Sequence, residues 1–165
     1  ENLAISLLRS KRSGLRMGVT NRRRAVMREQ LSRLGMGLED RLKAGVNKLS
    51  GGQRQAMSLL MATIADPSLL LLDEHTAALD PKVAATIMDL TDEIVSERGL
   101  TTLMVTHNME LALRYGDRLV MMHAGRVVLD LSKEQKQRLK VPDLIAKFHE
   151  VAGEAFAVDR LLLDA

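Results

Sequence analysis

Four leucines, Leu69 to Leu72, stand in a row and run directly into Asp73 and Glu74. A continuous apolar run of this length fits a strand covered on both faces, as in a parallel sheet flanked by helices. Ligands of such sheets bind just beyond the carboxyl ends of the strands, which is where the two acids would emerge. The chain after this strand, placed at 69–73, keeps one rhythm. A helix is expected over 81–98, a strand over 101–106, and a short helix over 109–115 that Gly116 stops. Strands over 118–122 and 126–129 flank a turn at Ala124 and Gly125 and are close enough to form a hairpin. This alternation predicts an α/β fold with a mostly parallel sheet.

Before Leu69 the period is helical. Val26, Met27, Leu31 and Leu34 share one face of a helix expected over 21–34, ended by Gly35 and Gly37. A second helix is expected over 50–65, with Met57, Leu60, Met61 and Ile64 on one face and Pro67 closing it. The opening pattern, Leu3, Ile5, Leu7 and Leu8, is amphipathic from the first residues, so we expect a segment upstream of Glu1. Beyond Leu131 the chain becomes charged, with Lys133, Glu134, Lys136, Arg138 and Lys140. A further amphipathic helix follows over 141–151, and 155–165 reads as a last helix or a frayed tail. Three regions are therefore expected: α-helical 1–65, a core over 66–131, and a helical extension over 132–165.

Composition removes several functions. Aromatic residues make up 2% of the chain and tryptophan is missing, so the stacking platforms of single-stranded nucleic-acid binders are not supplied. No nucleic-acid partner is expected. The ten methionines take over part of the packing that aromatics would do. Without cysteine there is no disulfide framework and no thiolate metal site. The longest apolar stretch, 59–72, is interrupted by Asp66 and Pro67 and falls short of the roughly 20 residues that span a bilayer. A basic cluster, Arg9, Lys11, Arg12, Arg16, Arg22, Arg23, Arg24 and Arg28, has two readings. It is either a solvated face or a contact for a membrane-embedded partner's cytoplasmic loop or anionic lipid.

Four short motifs carry candidate chemistry. Ser50 and Gln53 in Leu49-Ser50-Gly51-Gly52-Gln53 fit a capping box, which makes this a helix start. Two glycines in its first turn cost helix stability of about 1 kcal/mol each, unless something must approach the backbone closely. Amides of Ser50, Gly51 and Gly52 at the positive end of a helix dipole would suit a terminal phosphate. Asp73 and Glu74 could hold magnesium through water and orient or deprotonate an attacking water, or be two acids in a loop. In Ala78-Leu79-Asp80-Pro81, Asp80 is placed as an N-cap and Pro81 as the first helical residue. Thr106-His107-Asn108 ends a strand in a histidine, while His75, His123 and His149 show no obvious partner and are read as non-catalytic.

In this order the four motifs closely resemble the ATP-binding cassette family. The resemblance implies a P-loop NTPase-type (RecA-like) core, with an α-helical subdomain ending in the signature helix. Leu49, Ser50, Gly51, Gly52 and Gln53 match the signature motif, and Asp73 ends the Walker B strand, holding Mg2+ through water. Glu74 matches the catalytic carboxylate, Ala78, Leu79 and Asp80 the D-loop, and His107 the switch histidine. His75 stands where most members carry proline, a change expected to alter the stiffness of the turn and not the chemistry. No Gly-x-x-x-x-Gly-Lys-[Ser/Thr] run occurs in the 165 residues, and the family's glutamine loop, expected just before Glu1, is likewise missing.

The family works as head-to-tail pairs, so the resemblance gives this chain a half-role. Ser50, Gly51 and Gly52 would touch a nucleotide bound to a partner, Asp73, Glu74 and His107 would serve the chain's own side, and Asp80 would link the two. The implied function is the ATP-binding and hydrolysing subunit of a bacterial importer. It would use ATP and Mg2+, act with a second ATPase subunit and transmembrane permease subunits, and lie on the cytoplasmic face of the cell membrane. The run Asp73 to Asp80 resembles importers assigned to amino-acid-like solutes. This chain alone is expected to be inactive, and a truncated or non-transport protein acting as an interaction remnant is the alternative. The family's strand before the phosphate loop would lie between strands 101–106 and 118–122. Without it, 69–73 should still pair with 101–106, while the hairpin either closes the gap wrongly or floats.

Overall fold

In the computed structural model, which describes residues 2–8 and 20–150, the chain divides after Val105 into two units with separate cores. The basic residues Arg9, Lys11, Arg12 and Arg16, the end of the predicted last helix at Val151, and the stretch 155–165 lie outside the described residues.

The first unit begins with α1, Asn2–Leu8, and α2, Asn21–Ser32, whose N-terminal turn is capped by Thr20 Oγ1 accepting from the Arg23 amide at 3.3 Å. Two short 3-10 turns, Glu39–Arg41 and Val46–Lys48, lead to α3, Gly51–Thr63. Then come β1, Leu70–Asp73, α4, Pro81–Arg98, and β2, Thr102–Val105. Helix α4 has the bounds expected from sequence because both ends carry a local stop. Asp80 caps its start with Pro81 as first residue, and Gly99 ends it in the left-handed region at φ 59°. Strands β1 and β2 pair in parallel, Leu70 with Thr102 through Asp73 with Val105, as the sequence predicts.

Helix α2 ends at Ser32, before the predicted 34. Met27 and Leu31 of its stripe and Leu34 just beyond it are buried in one cluster with Ala56, Leu59 and Leu60 of α3, Leu70 and Leu72 of β1, and Ile87, Leu90 and Ile94 of α4. Val26, expected on the same stripe, is 40% exposed, and Ile5 of the opening pattern is 62% exposed while Leu3 is buried. Arg98 ties the helices together at the far end of the unit. Its guanidinium donates to Thr63 O at 2.8 Å, Asp66 Oδ1 at 3.0 Å and Gln30 Oε1 at 3.3 Å, so one side chain serves α2, the end of α3 and the loop beyond it.

The leucine run departs from expectation. Leu70 and Leu72 are buried, but Leu71 is 64% exposed, as are Leu69 and, on β2, Leu103 and Val105 by more than half. Side chains alternate between the faces of a strand, so within the described residues this sheet is covered on one face only.

The second unit comprises α5, Met109–Arg114, β3, Arg118–His123, β4, Arg126–Ser132, α6, Lys133–Lys136, and a helix over 141–150. The predicted hairpin forms, running from Arg118 opposite Ser132 to His123 opposite Arg126. Its tight turn places Ala124 at φ 47° and Gly125 at φ 75°, both left-handed, as a twist-compatible two-residue turn requires. Strand β4 runs on to Ser132, past the predicted end at 129. Helix α6 was not expected in the charged stretch, yet Ser132 and Gln135 form a reciprocal capping box. Leu119, Leu131 and Leu144 make the buried core.

Candidate functional site

Helix α3 begins as its sequence dictates. Ser50 Oγ accepts from the Gln53 amide at 3.2 Å, and Gln53 Oε1 accepts from the Ser50 amide at 3.1 Å. The other side of the Gln53 amide group is also engaged, its Nε2 donating to Met36 O at 3.1 Å. Arg54 Nη1 donates to Leu49 O at 2.6 Å and holds the approach to the helix. The first-turn amides that the capping box does not use are those of Gly51 and Gly52.

The two glycines differ in what surrounds them. A Cβ on Gly51 would lie 3.2 Å from Leu79 Cδ2, the flexible end of a side chain. A Cβ on Gly52 would fall inside the van der Waals envelope of Val83, and Gly52 is buried. Glycine at 52 is therefore required by the packing of α3 on the first turn of α4, a reason that sequence spacing does not reveal. The same contacts bring the α3 start beside Leu79 and the Asp80 cap, where Asp80 Oδ1 accepts from the Val83 amide at 3.1 Å. Ala78 is exposed in the connecting turn.

Asp73 and Glu74 emerge exposed at the carboxyl end of β1. Glu74 sits at φ 43°, a left-handed conformation that costs a non-glycine residue about 1–2 kcal/mol and needs support from its surroundings. Its amide donates to Val105 O at 2.9 Å, and its carbonyl accepts from the Ala77 amide at 3.0 Å. The next residue carries a further tie, a 3.3 Å hydrogen bond between His75 Nε2 and Thr91 Oγ1 on α4. Sequence alone gave His75 no partner because Thr91 lies 16 residues away. Burial pushes the His75 pKa below its ordinary value and favours the neutral ring.

Asp73 is a hard oxygen donor on an exposed strand end, and the described residues contain no cluster of three or more metal-ligating side chains. One such carboxylate could share Mg2+ with water and further oxygen donors from a ligand, and does not form an all-protein cage.

His107 belongs to the second unit, exposed in the loop before α5. The adjacent Asn108 caps that helix, its Oδ1 accepting from the amides of Glu110 at 2.9 Å and Leu111 at 3.1 Å. His123 and His149 both meet Phe148, His123 edge-on with ring centres 5.6 Å apart and His149 tilted at 5.9 Å.

A family profile described as "ABC transporter" matches residues 3–77. A tyrosine transport ATP-binding protein of Clostridioides difficile is 46% identical over 148 residues, 90% of this chain and 59% of that protein. A phosphonates import ATP-binding protein of Frankia casuarinae is 44% identical over 71% of this chain and 47% of its own length. A methionine import ATP-binding protein of Streptomyces griseus is 34% identical over 90% of this chain and 41% of its own length. The chain thus spans about half the length of the curated relatives it matches. Among solved structures, a dimeric post-hydrolysis state of an ATP-binding cassette bound to ADP and Pi superposes with TM-score 0.61 and 30% identity. The match covers 79% of this chain and 54% of that one. An ADP-bound cassette of an ABC transporter superposes with TM-score 0.68 over 89% of this chain and 60% of that one, at 22% identity.

Proposed function

We propose that this chain, which belongs to the ABC transporter ATPase family, supplies the signature helix and the hydrolytic carboxylate of a cassette that powers solute import. The observation that carries this reading is the link between two motifs within the first unit. There, Asp73 and Glu74 leave β1 and lead through residues 75–80 into α4, whose first turn packs against Gly52 at the start of α3.

Phosphoryl transfer asks mainly for positioning and electrostatic stabilisation. Glu74 would orient and deprotonate the attacking water, and His107 would contact the terminal phosphate from the loop before α5. Mg2+, held through water by Asp73 and by nucleotide oxygens, would supply charge neutralisation at the phosphates. The free amides at Gly51 and Gly52, with Ser50, would meet the terminal phosphate of a nucleotide carried by a second cassette in a head-to-tail pair. Leu49 and Gln53 would hold that loop in shape, and Ala78, Leu79 and Asp80 would face the partner.

Residues 1–65 would then serve as the helical subdomain that engages permease subunits at the inner face of the membrane. Residues 66–131 would serve as the core and 132–165 as an extension. The printed names of relatives, tyrosine transport and methionine import, favour an amino-acid-like solute. The sequence holds no phosphate-cradling Gly-rich loop, so this chain by itself should not turn over ATP.

Steady-state ATP turnover of the complete cassette tests the reading. Replacing Glu74 by Gln should lower kcat by at least about 100-fold, the order seen when one transition-state contact is lost. Turnover by the 165-residue chain alone, undiminished by Glu74→Gln, would overturn it.

A further inference from the structure

We propose that His75 is a positioning residue for Glu74, holding the left-handed turn onto α4 through an Nε2–H to Thr91 Oγ1 hydrogen bond. The inference rests on the role given to Glu74 above.

The donor can be assigned from the acceptor side. Thr91 Oγ1 has one proton, and it lies 2.7 Å from Ile87 O, where that proton is used within α4. Toward His75 the hydroxyl oxygen can therefore only accept, so the ring donates through Nε2–H. Thr91 is 4% exposed and sits in the third turn of the 18-residue helix, a fixed point for the loop to lean on.

The residues around Glu74 need such a point. The chain leaves β1 with the Glu74 amide bonded to Val105 O, makes one turn closed by Ala77 N–H to Glu74 O, and a second closed by Leu79 N–H to Thr76 O at 3.2 Å. Each peptide flanking Glu74 thus carries one backbone bond, the 73–74 unit through the Glu74 amide and the 74–75 unit through the Glu74 carbonyl, and the His75 side chain adds a tie from the turn to α4. Without that tie the turn has only its backbone bonds to hold it over α4, and any relaxation of Glu74 from its φ of 43° would carry its carboxylate with the Cα–Cβ vector. Proline at position 75 would stiffen the same peptide by its ring. Histidine achieves the restraint through a contact that reaches another element, so the orientation of Glu74 becomes coupled to α4.

The test is a set of variants in the complete cassette, each checked for folding by its thermal midpoint: His75→Ala, Thr91→Val, the double variant, His75→Gln, Thr91→Ser and Glu74→Gln. His75→Ala and Thr91→Val should each lower kcat about 10-fold with KM for ATP within about twofold, because misplacing a reacting group by about 1 Å can cost up to 100-fold. The double variant should be no slower than either single one. Thr91→Ser keeps the acceptor and His75→Gln keeps a donor near the Nε2 position, so both should retain most of the rate. Wild-type kcat in His75→Ala and Thr91→Val beside an inactive Glu74→Gln would overturn the positioning role and leave the catalytic reading standing. Losses that multiply in the double variant would do the same. An active Glu74→Gln would overturn both.

Discussion

The two units are stabilised in different currencies of interaction. The first has a layered apolar core in which Ile87 and Ala56 are fully buried and α2, α3, α4 and β1 all contribute. The second has a smaller core of Leu119, Leu131 and Leu144, with Leu113, Met121 and Leu129 packed against it, and carries charged ties around it. Arg118 clasps Asp130 through two bonds of 2.8 and 2.5 Å, and Lys133 reaches Asp117 at 2.6 Å. The 2%-exposed Lys136 donates to Ala112 O at 2.9 Å and to Tyr115 O, closing the carbonyl end of α5. Burial lowers the pKa of that lysine, and the carbonyl partners keep its ammonium satisfied. The lesson is that a smaller core leaves room for one buried charge, Lys136, to matter, while the layered core is set by apolar packing.

The sharpest way to break this comparison is in the larger core. Ile87→Ala should destabilise the first unit by about 2–5 kcal/mol, read from the denaturant midpoint of its unfolding. A loss below about 1 kcal/mol would mean that the layered core is not what holds it. In the second unit the corresponding site is polar. Lys136→Met leaves two carbonyls without their charged donor and should cost about 1.5–3 kcal/mol, seen as faster amide exchange in β3 and β4. If Lys136→Met is neutral, the hairpin is held by its apolar contacts after all.

A smaller effect separates the glycines of α3. Gly52→Ala should cost about 1–3 kcal/mol through overpacking against Val83. Gly51→Ala should be nearly silent in stability, because Leu79 can give way. Equal effects on thermal midpoints would remove the packing explanation for Gly52.

The smallest effect is electrostatic. The Arg118 hydrogen bond holds the Asp130 carboxyl below its ordinary range, and the Lys133 hydrogen bond does the same for Asp117. A folded carboxylate with a depressed pKa contributes stability above the unfolded value of about 4, and that contribution disappears as pH falls through the folded value. Acidification below about pH 4 should therefore weaken the second unit. Asp130→Asn should flatten that dependence, and because the pair is exposed, about 0.5 M salt should erase most of the difference. A dependence unchanged in Asp130→Asn would place the acid sensitivity elsewhere.

Much of this was legible without coordinates, and the legible part was local. Asp80-Pro81 and Gly99 fixed both ends of α4, Ser50 with Gln53 fixed the start of α3, and Ala124-Gly125 fixed the hairpin turn. Helix α6 was equally legible in principle, since Ser132 and Gln135 repeat the spacing of Ser50 and Gln53; the charged residues around them hid it. The candidate site divides in the same way. Asp73, Glu74, Asp80 and the glycines could be picked out because motif order is a property of the chain. That His75 would meet Thr91, and that Gly52 would meet Val83, could not.

The sequence by itself determined the helix caps, the turns, the parallel pairing of β1 with β2 and the identity of the acids at the end of β1. The caps, turns and acids rest on backbone preferences and on residues within a few positions of one another, and the pairing on the strand–helix–strand rhythm of 70–105. Only the tertiary structure decided which leucines of the run are buried, why Gly52 admits no side chain, and what supports Glu74 in its left-handed turn. Those outcomes depend on which distant surface each residue meets, and hydrophobic periodicity specifies a face without naming the surface that covers it.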